Sequence, residues 1–254
     1  MTEERVAKLM AQRGLCSRRE AERLIEEGSV TVNGVIVREQ GCKAAPDADI
    51  RVAARGTMRL AAQVTVALHK PLGIVSTQPE PGQTAAWKLI TPAGAHGDIG
   101  ADILGRITRD AASLSVAGRL DRASRGLLIL TQDGTVARRI IGGEGVEKCY
   151  VVTMREPVSD GQIRKLRGPL RLEDRELQPM HVHRVADDTL RFVLVEGRKH
   201  QIRRVCRHVG LTVADLVRTA VGPIALGDLP EGRWRVVVPG ELDRLRVDGR
   251  VAGA

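Results

Sequence analysis

The spacing of apolar and polar residues predicts two short helices and a β-hairpin at the start of the chain. A first helix is predicted over Arg5–Arg13, where apolar residues recur at helical spacing. Ser17 with Glu20 three residues later is the signature of a capping box for a second helix, which ends near Gly28. An Asn-Gly pair then separates the β-branched runs of Val30–Val37, which predicts a hairpin with a type I′ turn.

The apolar pattern of the remaining chain predicts strands and helices that do not alternate strictly. The predicted strands are Val64–His69, with an extension at Ile74–Thr77, then Gly126–Thr131, Lys148–Met154, Pro179–Val185, Leu190–Val195, Val213–Arg218 and Trp234–Val238. Helices are predicted from Asp133 or Thr135 through Ile141, over Ser159–Leu166 and over Lys199–Val209. This order favours an α+β domain with a mixed, largely antiparallel sheet.

The pattern also divides the chain into units. Residues 3–52 form a small module of two helices and a hairpin, and residues 53–63 lack a clear period and are predicted to be a linker. Residues 64–240 form the larger domain, and residues 241–254 are predicted to be a flexible polar tail. The segment Gln78–Ser113 is rich in Gly, Pro and Ala, and only a short helix at Trp87–Ile90 is predicted within it.

Charge and cysteine content narrow the class of partner. The formal net charge is +9 and the isoelectric point is near 10.0, which favours a polyanion such as a nucleic acid. The four cysteines form no C-x-x-C pair, and His181 and His183 lack a third ligand, so we expect no metal. The charged start of the chain and the lack of a long apolar run predict a cytoplasmic protein without a membrane span.

Candidate chemistry centres on Asp121, within the stretch Ala117–Gly134. Arg119, Arg122 and Arg125 surround this carboxylate in sequence, and nearby positive charge favours its ionised form. Such an acid is either a structural ion-pair partner or a nucleophile. No Walker A motif, dinucleotide glycine fingerprint or G-x-S-x-G elbow offers a competing chemistry. Ordinary glycoside hydrolysis uses a pair of carboxylates. A single carboxylate suits a reaction in which a bond is broken and remade without water.

The N-terminal module resembles a known RNA-binding domain. Its sequence RVAKLMAQRGLCSRREAERLIEEGSVTVNG is similar to the domain named after the fourth small-subunit ribosomal protein, over about Glu3–Val52. The resemblance implies RNA contacts through Arg18 and Arg19, and also through Arg5 and Lys8. The alternative is a solvated charged face, because several glutamates lie among these basic residues.

Motifs of the larger domain resemble a family of RNA-modifying enzymes. GRLDRASRGLLILTQDG is similar to the catalytic signature of the rRNA pseudouridine synthases of the RsuA/RluB/RluF type. KPLGIVST, KCYVVTM, EGRKHQIRR and DLVRTAVGPIALGDLPEGRWR agree with that family in the same order. With the module, the resemblance covers about Glu3–Val238 and is greatest to the large-subunit synthase F type.

The resemblance implies that a uridine in ribosomal RNA, of the large subunit, is isomerised to pseudouridine without a cofactor. Asp121 would be the nucleophile or the acid that stabilises charge at C1′, and Arg203 would pair with it. Tyr150 would stack on the uracil, while Arg119 would hold the nucleotide out of its helix. Leu216 would form a wall of the pocket.

The implied partner is a structured stem-loop of ribosomal RNA, free or in an assembling ribosomal subunit, and the protein is expected to be a monomer. Alternatives from the residues are a non-catalytic RNA-binding protein and a glycosylase that releases uracil. The alternatives for single residues are that Tyr150 is an ordinary core residue and that Arg203 is a surface phosphate contact. The sequence departs from the family at His200, where many members of this branch have arginine, and in the length of Gln78–Ser113.

Overall fold

A computed structural model of the chain describes residues 2–142, 145–173 and 175–251. The N-terminal module contains β1 (Glu4–Arg5), α1 (Val6–Gln12), α2 (Arg18–Glu26), β2 (Val30–Val32), β3 (Val35–Val37), β4 (Lys43–Ala44) and β5 (Ile50–Val52). Strands β3, β2 and β5 form an antiparallel sheet in that order, and β1 pairs with β4. The predicted helix pair and hairpin are confirmed, and β5 adds a strand that the hairpin pattern did not predict.

Local signals account for the boundaries in the module. The Ser17 hydroxyl accepts a hydrogen bond from the Glu20 amide at 3.2 Å and so caps α2. The Glu20 carboxylate turns instead toward Arg59, with 3.2 Å between Oε1 and Nε, so only half of the predicted capping box forms. Asn33 and Gly34 both have positive φ, 50° and 83°, as a type I′ turn requires.

The predicted linker is wrong over most of its length. Helix α3 spans Ala54–Ala61 and packs on the module, and Arg59 on this helix forms ion pairs with Glu20 and Glu27. A β-carbon at Gly56 would lie 2.7 Å from Cγ1 of Val52, so this glycine permits a close approach of the helix to β5. Contacts with the module therefore stabilise a helix that its own sequence pattern does not predict.

The larger domain is built on one extended sheet with helices packed around it. Its elements are β6 (Thr65–Lys70), α4 (Ala101–Arg109), β7 (Ser115–Ala117), β8 (Arg125–Thr131), α5 (Gly134–Gly142), β9 (Lys148–Met154), α6 (Asp160–Arg167), β10 (Arg171–Leu172), β11 (Arg175–Glu176), β12 (His181–Ala186), β13 (Thr189–Leu194), α7 (Gln201–His208), β14 (Val213–Val221), β15 (Ile224–Ala225), β16 (Trp234–Val236) and α8 (Pro239–Val247). Short 3₁₀ turns at Ala86–Leu89, Pro92–Gly94 and Ala111–Ser113 lie in the segment before β7.

The sheet confirms the predicted mixed, largely antiparallel α+β fold. Its strands follow the order β12-β13-β9-β14-β8-β6-β16, with β7 beside β8 and β15 beside β14. Only the β14–β8 pair in this order is parallel, within the part of the chain that the structure describes. The central strand β8 is buried on both faces, and its residues Leu127–Leu130 are fully buried. The loop that precedes β8 therefore starts from a rigid support.

Two further predictions in this domain are wrong. Ile74–Thr77 does not form a strand, and Val75 makes only an isolated bridge with Ala85. Half of the predicted flexible tail, residues 241–247, belongs to α8, whose Leu245 is fully buried, and residues 252–254 lie outside the described part of the chain. The Glu241 carboxylate of α8 also accepts hydrogen bonds from Arg235 at 2.8 Å.

The module docks onto α5, the helix that follows β8. The Arg138 guanidinium on α5 donates to the carbonyl oxygen of Ala11 at 3.0 Å. A β-carbon at Gly134 would lie 2.3 Å from Cβ of Ser17, so the Ser17 side chain packs directly against the backbone at the start of this helix. None of the described helices combines the length and the apolarity needed to cross a membrane.

Candidate active site

Asp121 lies in the loop that connects β7 to β8, and hydrogen bonds to the backbone of this loop hold it on both sides of Asp121. The Ser76 hydroxyl donates to the carbonyl oxygen of Leu120 at 2.7 Å and accepts from the Leu120 amide at 2.9 Å. The Gly73 amide donates to the carbonyl oxygen of Arg122 at 3.0 Å. The segment after β6 therefore fixes the residues that flank Asp121.

Arg218 of β14 holds the start of the same loop from beneath. Its side chain is buried, with Nε donating to the carbonyl oxygen of Leu127 at 2.7 Å and Nη2 to that of Gly118 at 2.9 Å. One guanidinium thus connects the central strand β8 to the first residue of the Asp121 loop. Because arginine stays charged, these carbonyl groups partly compensate the desolvation of its charge.

Two buried lysines lie near the loop. The Lys70 ammonium donates to the carbonyl oxygens of Pro71 at 2.8 Å and Ile74 at 2.9 Å. Burial lowers the pKa of Lys70 to about 8, and the charge of Asp121 partly opposes that decrease. Burial and the nearby Arg218 likewise lower the pKa of Lys148 to about 8.

A cavity of about 90 Å³ opens beside the Asp121 carboxylate. Its lining includes every residue that the sequence predicted for catalysis or uridine binding: Arg119, Asp121, Tyr150, Arg203 and Leu216. The loop, β9, α7 and β14 each contribute to it. A neighbouring cavity of about 440 Å³ shares Arg119, Asp121 and Tyr150, and extends to Lys148 and Arg218. The fold therefore assembles these residues from four distant segments of the chain.

The expected ion pair between Arg203 and Asp121 is not formed in this structure. The Arg203 guanidinium instead donates from Nη2 to the carbonyl oxygen of Ala123 at 2.6 Å and from Nη1 to that of Val213 at 3.4 Å. The group within ion-pair distance of Asp121 is His200, with 3.4 Å between Nε2 and Oδ1. Backbone carbonyls of the loop and of β14 thus accept hydrogen bonds from the guanidinium that was expected to pair with the acid.

Arg122 and Arg125 are also engaged away from Asp121. Arg125 forms a bidentate pair with Asp215, with 2.6 Å between Nη2 and Oδ2, and lies 3.6 Å from Glu231. The hydrogen bonds from Arg125 hold the pKa of Asp215 below its usual value. Arg122 donates from Nε to the carbonyl oxygen of Gly73 at 3.2 Å. Partners from other elements therefore satisfy arginines that appeared in the sequence to surround the acid.

The predicted RNA-binding residues lie on the module, and none of them lines either cavity beside Asp121 among the described residues. Arg18 and Arg19 are exposed in the first turn of α2, and Arg5 is exposed at the end of β1. Lys8 forms an ion pair with Glu4 at 2.6 Å. The described residues contain no group of three or more His, Cys, Asp and Glu side chains placed to hold a metal.

Sequence reasoning missed the residues that support the loop. Lys70 and Ser76 belong to the KPLGIVST motif, which was matched to the resembled family without a role for either residue. Arg218 lies in a predicted strand, and an arginine among apolar residues there was the available signal of a buried side chain with a supporting role. His200 was noted only as a departure from the resembled family.

Comparison with known proteins identifies the family. The family model for RNA pseudouridylate synthases matches residues 64–208, and the S4 domain model matches residues 4–49. An uncharacterized RNA pseudouridine synthase of Aquifex aeolicus is 33% identical over 253 residues, covering 96% of this chain and 94% of the relative. The dual-specificity RNA pseudouridine synthase RluF of Escherichia coli K12 is 33% identical over 241 residues, covering 94% of this chain and 77% of the relative.

A solved structure agrees with this assignment. The crystal structure of a pseudouridylate synthase matches this fold with a TM-score of 0.62 at 25% identity, covering 95% of this chain and 99% of that one. The matches span both the module and the larger domain. The chain therefore belongs to the RNA pseudouridine synthases and carries an S4 domain at its N-terminus.

Proposed function

We propose that this enzyme isomerises one specific uridine of large-subunit ribosomal RNA to pseudouridine, with Asp121 as its reactive carboxylate. The observation that carries the proposal is the cavity where Asp121, Tyr150 and Arg119 meet. The Asp121 side chain is 37% exposed, so a substrate atom can reach it. Its loop is held by Ser76 and Arg218, which supports a fixed position for the carboxylate.

The reaction exchanges one bond of the nucleoside for another. The bond from uracil N1 to ribose C1′ breaks, and a bond from C5 to C1′ forms. A carboxylate can attack C1′ or stabilise its positive charge while the uracil is detached, as carboxylates do in glycosidic-bond chemistry. Asp121 carries this role, and the walls of the cavity keep the free uracil close to C1′.

Tyr150 is the stacking surface for the flipped base on this proposal. It is half-buried on β9 and packs against two of the apolar clusters of the domain, which restricts its ring. An extruded base needs a stacking partner to offset its lost stacking in the RNA. Arg119 then balances phosphate charge beside the extruded nucleotide, and Leu216 contributes an apolar wall.

Arg203 has a different role from the one implied by the resemblance. Its hydrogen bond to Ala123 supports a positioning role, in which α7 fixes the end of the Asp121 loop. A guanidinium that holds the loop also adds positive potential to the cavity. Asp121 is therefore oriented through its backbone, while its side chain is left accessible to C1′.

The S4 module supplies the affinity for RNA. A structured stem-loop binds through Arg18, Arg19, Arg5 and Lys8, either in free ribosomal RNA or in an assembling ribosomal subunit. The net charge of +9 supports a polyanionic partner. We further propose that the enzyme acts as a monomer in the cytoplasm.

The test is to incubate the protein with unmodified large-subunit ribosomal RNA and map pseudouridine at single-nucleotide resolution. Small-subunit ribosomal RNA and transfer RNA serve as competing substrates, because the Escherichia coli relative is named a dual-specificity enzyme. We expect one major site in the large-subunit RNA. Pseudouridine formed only in the other RNAs would contradict the proposal that large-subunit ribosomal RNA is the target. RNA binding without product would favour a non-catalytic protein.

Asp121→Asn tests the carboxylate itself. This variant should bind RNA with wild-type affinity but form pseudouridine at least about 10³-fold more slowly, because the amide is a poor nucleophile. Asp102→Asn is the control, since Asp102 is exposed on α4. Turnover by Asp121→Asn at the control's rate would remove Asp121 from its role, and release of free uracil by the wild type would instead indicate a glycosylase.

A further inference from the structure

We propose that Arg125 and Asp215 are positioning residues for the isomerisation, which join the Asp121 loop to the strand that carries Leu216. This inference rests on the proposed function, because it concerns how the acid and the apolar wall of the same cavity are held relative to each other. Neither Arg125 nor Asp215 lines either cavity beside Asp121 among the described residues, so both act through their neighbours.

The fold places the two residues next to the groups that they position. Arg125 follows Asp121 by four residues at the start of β8, and Asp215 immediately precedes Leu216 on β14. The parallel ladder between these strands starts where Arg125 lies opposite Val217. Because the strands are parallel, the part of β14 before this point runs alongside the Asp121 loop. Side-chain contacts extend the connection between loop and strand beyond the ladder.

The contact between Arg125 and Asp215 reaches the backbone of the pocket wall. Nε and Nη2 of Arg125 donate to Oδ2 of Asp215 at 3.1 and 2.6 Å. The other carboxylate oxygen, Oδ1, accepts a hydrogen bond from the Leu216 amide at 2.9 Å. A guanidinium that donates twice to one carboxylate fixes orientation as well as distance. The carboxylate therefore ties the Leu216 backbone to the end of the loop.

Arg203 makes a second connection between the same two segments. Its guanidinium donates to the carbonyl oxygens of Ala123 in the loop, at 2.6 Å, and of Val213 in β14, at 3.4 Å. Together with the Arg125–Asp215 pair, this contact joins the loop to β14 at two points. Two points of attachment restrict rotation of the loop about either one, which suits a carboxylate that must stay within reach of C1′.

The charge around Arg125 does not suit an RNA phosphate. Glu231 lies 3.6 Å from the Arg125 guanidinium, in addition to the paired Asp215. Two carboxylates around one guanidinium leave a negative local charge near neutral pH, and this charge repels phosphates. Arg125 is therefore a connection between two protein segments and not an RNA contact.

Stability alone does not account for this ion pair. The side chains of Arg125 and Asp215 are 31% and 32% exposed, and ion pairs with such access to water contribute little to the free energy of unfolding. The placement of reacting groups is more demanding, because a misplacement of about 1 Å can slow a reaction by about 10²-fold. The pair should therefore affect conversion of uridine more than it affects folding.

The test is a double-mutant cycle with Arg125→Met and Asp215→Asn. Methionine keeps an apolar stem, and asparagine keeps the shape of the carboxyl group, so the changes remove the ion pair with little change in volume. Arg184→Met is the matched control, because Arg184 is 33% exposed, pairs with Asp160 at 2.7 Å and lines neither cavity among the described residues. Each variant is assayed for affinity to large-subunit ribosomal RNA, for unfolding by urea and for single-turnover conversion at saturating protein.

We expect Arg125→Met and Asp215→Asn each to convert the RNA about 10- to 100-fold more slowly than the wild type. Their RNA affinities and salt slopes should match those of the wild type, because neither residue contacts RNA. The double variant should be no slower than the slower single variant, since both substitutions remove the same contact. Arg184→Met should convert at the wild-type rate although it also loses an ion pair.

Conversion by both single variants at the wild-type rate would overturn the proposal. Weaker RNA binding with a smaller salt slope for Arg125→Met would also overturn it and would make Arg125 a phosphate contact. Losses that add in the double variant would overturn the pairing of the two residues. A slower rate that the urea measurement traces to unfolded protein would reduce the pair to a role in stability.

These outcomes are distinct from failure of the proposed function. In that case the wild-type protein itself forms no pseudouridine in large-subunit ribosomal RNA.

Discussion

At the scale of single residues, the site depends on charged groups that are held away from water. Arg218 and Lys70 lie beneath the Asp121 loop, and both satisfy their donors with backbone carbonyls rather than with carboxylates. Asp121 stays partly exposed above them, with His200 as its neighbour. This arrangement suits the role given to Asp121 in the proposed function, in which the carboxylate interacts with developing positive charge at C1′ and then releases it.

Replacing Lys70 by Met should change how stability depends on pH. The pKa of Lys70 is about 8 in the folded chain and ordinarily 10.5, so between these values the unfolded chain binds more protons. The free energy of unfolding of the wild type should therefore rise with pH, relative to Lys70→Met, by up to roughly 1 kcal/mol per pH unit in this window. Urea unfolding of both proteins at pH 7.5, 8.5 and about 9.5 measures the difference.

Lys88→Met serves as the control, because Lys88 is exposed. Its difference from the wild type should not change with pH. If the difference between the wild type and Lys70→Met were equally constant, burial would not lower the pKa of Lys70.

At the scale of elements, packing rather than local pattern decides several helices. Helix α8 was expected to be a loose tail, yet Leu245 packs in a cluster with Val221, Ile224 and Leu226. Helix α3 was expected to be a linker, yet its Arg59 forms ion pairs with two glutamates of the module. Both helices are short and polar, so their stability comes from the surfaces they cover.

Leu245→Ala should destabilise the protein by about 2–5 kcal/mol, because it removes a fully buried side chain and leaves a cavity. Val247→Ala on the same helix is the matched control, since Val247 is 84% exposed and should change stability by less than about 0.5 kcal/mol. Chemical denaturation of the three proteins gives both values. Equal, small effects would mean that the segment is the flexible tail that its sequence suggested.

At the scale of the whole molecule, the arrangement separates binding from chemistry. The module presents Arg18 and Arg19 to solvent, while the larger domain encloses Asp121 among residues from several elements. Direct docking on α5 fixes the module next to the helix that follows the Asp121 loop and β8. RNA held by the module is therefore presented to a site whose position relative to it is set by the fold.

Replacing Arg18 and Arg19 together by alanine should weaken binding of ribosomal RNA and reduce its salt dependence. Each lost phosphate contact lowers the slope of log affinity against log salt by about 0.7–0.9. Single-turnover conversion at saturating protein should stay near the wild-type rate, because neither residue lines the cavity among the described residues. Binding isotherms at several salt concentrations provide the measurement.

Arg244 and Arg250 are the matched pair, since their replacement removes the same charge from exposed positions at the other end of the chain. The slope of log affinity against log salt for that double variant should stay closer to the wild-type slope than the slope for the Arg18 and Arg19 variant does. Equal slopes for the two double variants would leave Arg18 and Arg19 as part of a solvated face and would assign RNA binding to other residues.

The sequence by itself determined the fold class, most element positions and five of the residues around the cavity. Short-range rules were sufficient for features such as the Ser17 cap, the Asn33–Gly34 turn and the buried run of β8, because each depends on neighbours in the chain. The motifs carrying Asp121, Tyr150, Arg203, Arg119 and Leu216 likewise indicated residues that the fold does bring to one cavity.

Only the tertiary structure decided which groups interact. Arg203 contacts Ala123 rather than Asp121, His200 lies beside the acid, and Arg125 pairs with Asp215, which is 90 residues away in sequence. Attraction between charges depends on their distance in space, which the sequence does not give. From the sequence alone, any of several arginines could therefore have paired with Asp121. The path of the backbone and the nearest free carbonyl or carboxylate determine the partner, and these are properties of the folded chain alone.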